Sequence, residues 1–311
     1  MNSNSERNSA PLVLVGLGKM GGSMARRLAR GGVRVHGVDP QLGAHDPLAA
    51  EPGVTLHADL AQAIRATAPP RAVWLMLPAG AVTEGTLAQL ETLLPPGDLV
   101  IDGGNANYLD SQARAARLAQ HGIAFADCGV SGGVWGLENG YCLMFGCSAE
   151  VAQRLRPYIL ALAPGPERGW VHAGPAGAGH YSKMIHNGIE YAIMQAFAEG
   201  FALLNNKTDL DLDVAALAQA WQHGSVVRSW LLDLTVDALR DRAGLEAIEP
   251  FVADSGEGRW TIDEAIRQGT PAPVIALSVM ARFASQGRGD FGNKLLALMR
   301  KGFGGHAVKS K

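Results

Sequence analysis

Leu12-Val13-Leu14-Val15-Gly16-Leu17-Gly18-Lys19-Met20-Gly21 runs a short apolar segment directly into a Gly16-x-Gly18-x-x-Gly21 turn. An apolar run of this length bounded by glycine reads as a buried strand, and Met20–Arg30 behind it has the apolar spacing of a helix. The three glycines differ in role. Gly16 permits a tight turn, Gly18 lets a pyrophosphate approach the backbone, and Gly21 lets helix and strand pack closely. A helix start at this point offers unpaired N–H groups and a positive dipole end to phosphates. Leu17, Lys19 and Met20 complete the turn, and Leu77, at the end of a later strand, is grouped with them as a cofactor neighbour.

Working outward, Val33–Val38, Ala72–Leu77, Leu99–Asp102, Ile123–Ala126 and Tyr141–Phe145 read as further strands. Helical patterns at Val82–Leu94 and Gln112–Gln120 separate several of them. Such alternation predicts a mostly parallel sheet with helices on both faces, an α/β Rossmann-type doubly wound sheet. Asp39 ends the second strand, 18 residues after Gly21. A carboxylate at that offset accepts hydrogen bonds from the 2′- and 3′-hydroxyls of an adenosine ribose and repels a 2′-phosphate. Pro40-Gln41 brings no cation, so NAD rather than NADP is expected. The plainer alternative for Asp39 is a solvated turn residue.

From Pro175 onward the period is mainly helical, with long runs at Tyr181–Leu204, Val214–Trp221, Val226–Leu239 and Phe291–Arg300. The Gly- and Ala-rich link 173–179 has the composition of a junction. The chain therefore divides into a polar tail (1–10), a dinucleotide-binding domain (11–174), an all-α C-terminal domain (175–299) and a Gly-rich tail (300–311), which is too rich in glycine for a stable helix and is either disordered or docked. Charged residues make up 18% and the net charge is −2, with no like-charge block, which excludes a nucleic-acid footprint. No apolar run approaches the ~20 residues that span a bilayer. Three cysteines without metal-ligand spacing argue against a disulfide framework or a metal site and for a cytoplasmic setting, and Cys128 reads as core packing.

The most informative segment is Gly179-His180-Tyr181-Ser182-Lys183-Met184-Ile185-His186-Asn187-Gly188-Ile189-Glu190-Tyr191. Lys183, His186, Asn187 and Glu190 fall at i, i+3, i+4 and i+7 and share a helix face, while Ile185, Ile189, Ala192, Ile193 and Ala196 line the other side. A helix that is apolar behind and carries a cation, an anion, an imidazole and an amide in front suits a buried helix facing a polar pocket. Lys and Glu two turns apart supply a base and an acid on one element. An incidental surface stripe is the competing reading.

Together with Ile101-Asp102-Gly103-Gly104-Asn105 and Ser131-Gly132-Gly133, the Lys183–Tyr191 run makes the sequence resemble the 6-phosphogluconate dehydrogenase family over nearly its whole length. The His-Asn-Gly-Ile-Glu-Tyr run is specific to that family; the glycine turn and Ser-Gly-Gly are shared with the wider β-hydroxyacid dehydrogenases. The resemblance implies NAD-linked oxidative decarboxylation of 6-phosphogluconate without a metal. Lys183 is then the base at the 3-hydroxyl and Glu190 the acid at C1. Asn105, Ser131, Gly132, Gly133, His186 and Asn187 position substrate, Asn105 also lies beside the cofactor, and Tyr191 and Arg282 hold phosphate. Arg300 and His306 resemble residues that enter a neighbouring subunit's site, which implies a homo-oligomer.

Three features depart from the family pattern. The length resembles a short form of the family; Val134-Trp135 replaces an acidic pair; and Asp254-Ser255-Gly256-Glu257-Gly258-Arg259-Trp260-Thr261 places Ser255 and Glu257 where the family has Lys and Thr near the phosphate. The competing functions are a non-decarboxylating β-hydroxyacid dehydrogenase and a catalytically silent NAD-binding protein.

Overall fold

The computed structural model describes residues 10–41, 46–304 and 307–309, and for 302–304 the backbone alone. Most of the expected N-terminal tail, and His306, lie outside the described residues. The chain forms two compact units, Met1–Lys183 and Met184–Lys311.

Among the described residues, the first unit is built on eight strands: β1 (Leu12–Val15), β2 (Val35–Val38), β3 (Val54–His57), β4 (Ala72–Leu75), β5 (Leu99–Asp102), β6 (Ala124–Ser131), β7 (Cys142–Gly146) and β8 (Trp170–Gly174). Their order is β3-β2-β1-β4-β5-β6-β7-β8, and all neighbours are parallel except β6 and β7. The helices are α1 (Lys19–Arg30), α2 (Leu60–Arg65), α3 (Ala81–Leu93), α4 (Tyr108–Ala119), α5 (Gly136–Asn139) and α6 (Ala149–Leu162). Alternation along each strand sorts the core into two layers. Leu12 and Leu14 join Met24 and Leu28 of α1 and Leu155 and Ile159 of α6. Val13 and Val15 join Ile64 of α2, Leu87 and Leu90 of α3, and Leu118 of α4.

Val15 lies opposite both Val38 and Leu75, and Leu75 opposite Asp102, so these strands end in register. The turns after them therefore share one edge, and the strand order reverses direction at β1, where doubly wound sheets bind ligands.

Several boundaries differ from the sequence expectation. Val33 closes the turn after α1, its N–H bonding to Leu28 O, so β2 starts only at Val35. β6 continues to Ser131 because it pairs with β7 over its second half. Four elements, β3, α2, α6 and β8, have weak local signals: α6 carries Pro157 in its interior and β8 is a largely exposed edge strand.

The long helix α7 (Ala178–Asn205) begins in the first unit and continues into the second. The second unit adds α8 (Val214–Trp221), α9 (Trp230–Arg240), α10 (Arg242–Ala247), α11 (Glu257–Gln268), α12 (Pro273–Ser285) and α13 (Asp290–Gly304). Helix α9 starts four residues later than the apolar pattern suggests, because Ser229 caps it by accepting from Leu232 N–H. The reading of the C-terminal tail as non-helical needs correction: α13 runs through Arg300 to Gly304. Glycine costs a helix only about 1 kcal/mol, and the basic residue Lys301 in the last turn suits the helix dipole.

The second unit has a small core of Phe201, Val214, Ala218, Leu232 and Val236. The expected burial of the apolar back of α7 also needs correction: Ile189 and Ile193 are 50% and 41% exposed in the single chain.

Candidate active site

At the carboxyl edge of the sheet, Asp39 ties the first two turns together. Its Oδ2 accepts the Leu17 N–H at 2.8 Å and its Oδ1 the Gln41 N–H at 2.9 Å. Gly16 has φ of +88°, and a side chain there would also run into Met76 O. A side chain at Gly21 would collide with Gly16 O. Gly18 differs: a Cβ there would meet nothing within 4 Å, so no neighbour in the protein demands glycine. It is also the N-cap of α1 with no side-chain cap, and the first turn has no acidic residue. An uncapped helix start beside open space fits a dinucleotide's pyrophosphate. Gly18 and Lys19 are exposed and Met20 half-buried, while Leu17 sends its side chain into the core and gives its N–H to Asp39.

The next turns on this edge carry Leu77, half-buried against the Gly16 turn, and Asn105, exposed. The Asn105 turn is held from below. Asp102 Oδ1 accepts the Gly104 N–H at 3.2 Å, and Asp102 Oδ2 pairs with Arg114 Nη1 at 2.7 Å. Arg114 also grips Glu84 at 2.7 Å, so this buried charge is paired on two sides. Ser131-Gly132-Gly133 closes β6, with φ of +131° and +53° at the two glycines.

Asp127 of β6 anchors the start of α7. Its two oxygens accept the Gly177 N–H at 2.6 Å and the His180 N–H at 2.7 Å. Burial pushes its carboxyl above the ordinary range, partly opposed by His180 and those two N–H bonds. Gly129, also on β6, allows α7 to come close, since a Cβ there would collide with Cβ of Lys183. Lys183 is buried, 7% exposed.

In the second unit, the continuation of α7 carries a connected polar chain. His186 Nδ1 lies 2.9 Å from Asn187 Oδ1 and 3.8 Å from Glu190 Oε2. Asn187 Nδ2 donates to Glu257 Oε2. Tyr191 is buried, its hydroxyl 2.8 Å from Ser255 Oγ, and the Arg282 guanidinium stacks 3.4 Å above its ring. Arg282 Nη1 is fixed by Ala253 O at 2.8 Å, and Arg259 pairs with Asp254 at 2.9 Å. Glu257 is 3% exposed and directed inward onto Asn187.

Comparison with known proteins decides the family. The pattern for the NAD binding domain of 6-phosphogluconate dehydrogenase matches residues 12–171, and that for the 6-phosphogluconate dehydrogenase C-terminal domain matches 179–302. The chain belongs to the 6-phosphogluconate dehydrogenase family. It is 40% identical over 298 residues to Bacillus subtilis YqeC, provisionally named a 6-phosphogluconate dehydrogenase, covering 96% of this chain and 99% of that one. It is 38% identical over 301 residues to the NAD(+)-dependent, decarboxylating 6-phosphogluconate dehydrogenase of Haloferax volcanii, again covering 96% and 99%. The Plasmodium falciparum 6-phosphogluconate dehydrogenase shares the fold, with TM-score 0.81, 23% identity, and coverage of 97% of this chain but 66% of that one. Mycobacterium tuberculosis 3-hydroxyisobutyrate dehydrogenase also superposes, with TM-score 0.70, 25% identity, and coverage of 89% and 94%. The chain is thus an oxidoreductase of the 6-phosphogluconate and hydroxyacid dehydrogenase family with an NAD-binding domain.

Within this 6-phosphogluconate dehydrogenase fold, the first unit brings Gly16, Gly18, Gly21, Asp39, Leu77 and Asn105 to one sheet edge. The second joins His186, Asn187 and Glu190 in one chain of contacts, and Tyr191 with Arg282 in a stack. Arg300 lies in α13. Sequence reasoning missed Asp127, Arg114 and the inward course of Glu257, because each acts through a partner 12 or more residues away. Cys128 is fully buried and burial raises its thiol well above the ordinary range, as core packing requires. No helix is long and apolar enough to cross a membrane, and no cluster of three or more His, Cys, Asp or Glu fit for a metal occurs, among the described residues.

Proposed function

We propose that this protein is an NAD-dependent, decarboxylating 6-phosphogluconate dehydrogenase. The observation that carries the reading is α7, which presents a buried lysine, an imidazole, an amide and a carboxylate at i, i+3, i+4 and i+7, with Gly129 shaped to admit the lysine. NAD, when bound, supplies the hydride acceptor. Lys183 Nζ takes the proton from the substrate 3-hydroxyl and, once protonated, polarises the resulting 3-ketone so that the bond to the carboxylate breaks with loss of CO₂. The Glu190 carboxyl then delivers a proton to C1 of the enediol. Asn105, the Ser131–Gly133 strand end, His186 and Asn187 orient the sugar acid, and Arg282, braced on Tyr191, meets the phosphate.

Asp39 supports NAD over NADP, because a carboxylate already held by two backbone N–H groups is poorly placed to move away from a 2′-phosphate. The exposed apolar side chains of the second unit support a homo-oligomer, and Arg300 and His306 are assigned to a neighbour's site. The test is reduction of NAD and of NADP in parallel with 6-phosphogluconate, with released CO₂ trapped. NAD reduction matched by CO₂ supports the proposal. Reduction without CO₂, or turnover only of a short 3-hydroxy acid, replaces it with the non-decarboxylating reading.

A further inference from the structure

We infer that Glu257 is a positioning residue that fixes the tautomer of His186, and thereby makes His186 an acceptor for a substrate hydroxyl. The inference rests on the proposed use of His186 toward a polyhydroxy acid. Hydrogen-bond polarity propagates along one chain of groups. Glu257 Oε2 is the acceptor and Asn187 Nδ2 the donor, so the group of Asn187 that faces the carboxyl is its NH₂. The amide is planar, so its Oδ1 must point the other way, and there it meets His186 Nδ1 at 2.9 Å. An amide oxygen also only accepts, so Nδ1 carries the proton. Glu190 Oε2 lies 3.8 Å from the same nitrogen, beyond hydrogen-bond reach, and an oxygen on that side of the ring favours the same form.

In a neutral imidazole one nitrogen donates and the other accepts. With the proton held on Nδ1, Nε2 keeps its lone pair. His186 is about 40% exposed, so its ring has solvent access. A lone pair there accepts from a hydroxyl and turns away carboxylate and phosphate oxygens, which themselves only accept. Glu257 is suited to this role because it is 3% exposed, is held on α11 next to Ser255, and has its backbone oxygen bound by Thr261 Oγ1 at 2.9 Å. The carboxylate that the sequence places where it would repel a phosphate is therefore directed into the protein, two groups behind the imidazole.

The test is a long-range ¹H–¹⁵N correlation spectrum of the full-length protein labelled at histidine. It is recorded at about pH 8.5, above the ordinary imidazole range, with His186→Gln used only to assign the signal. A pyrrole-type Nδ1 and a pyridine-type Nε2 are expected. Nε2–H in the unmodified protein overturns the inference without any variant. Glu257→Ala is expected to release the ring to the Nε2–H form and raise KM for the sugar acid about tenfold, the loss of roughly one hydrogen bond. Glu257→Gln keeps an acceptor toward Asn187 and is expected to retain Nδ1–H, with KM within about threefold. An unchanged tautomer in Glu257→Ala, with the protein folded, also overturns it. The spectrum needs neither substrate nor turnover, so failure of 6-phosphogluconate as substrate is read separately.

Discussion

Lys183 has the strongest single role in the proposed chemistry, and it is buried against Gly129. Replacement with Met keeps the length and removes the base. The expected outcome is a fall in kcat of about 10³-fold with the NAD dissociation constant unchanged, measured by steady-state kinetics and by cofactor fluorescence. A variant retaining more than about a tenth of wild-type kcat would take the base role from Lys183. The thiols give a second residue-scale prediction. Cys147 is buried and its thiol is pushed up to about 12, burial also raises Cys128 well above the ordinary thiol range, and Cys142 is exposed. Only a thiolate reacts readily, so alkylation at about pH 8 followed by mass spectrometry should modify Cys142 alone. Rapid labelling of all three would contradict the packing described.

At the scale of elements, α7 is held by β6 through Asp127. Removing that carboxylate in Asp127→Ala leaves two buried N–H groups at the helix start unpaired, a cost of about 1–3 kcal/mol each before relaxation. A lower midpoint in urea checks it. The pH dependence has a definite sign. Burial raises the folded-state carboxyl above its unfolded value, so the folded protein holds this proton more tightly. The stabilisation from Asp127 is therefore fully present below the ordinary aspartate range and declines as pH rises through the raised folded value. The difference in stability between the wild type and Asp127→Asn, measured from about pH 3.5 to 6.5, should shift against the wild type as pH rises. The opposite slope would show that the two N–H bonds outweigh burial.

The whole molecule shows an imbalance between its units. Among the described residues, 22 of the 27 exposed large apolar side chains belong to the second unit, whose own core is small. On the proposed reading, many of these side chains are covered by another copy of the chain. Sedimentation of the purified protein is expected to give a dimer or larger species at micromolar concentration, and a stable monomer would refute the oligomer. Truncation after Met299 is expected to abolish turnover while leaving NAD binding intact. Full activity in that variant would free Arg300 and His306 from the site.

Local sequence alone specifies the repeating parts. The run Leu12–Gly21, the strand ends at Asp39 and Asp102, and the i, i+3, i+4, i+7 face on α7 are legible because strand alternation, glycine turns and helix period are local constraints on neighbouring residues. The order of the eight strands, the late start of β2 and the continuation of α13 past Gly302 are settled only by the folded chain. There, pairing partners and helix ends outweigh local preference. The same holds at the site. Glu257 reads in sequence as a charge in the wrong place. Only the folded chain turns it onto Asn187, 70 residues away, because the polarity of a hydrogen bond depends on which groups meet, and that depends on how α7 and α11 pack.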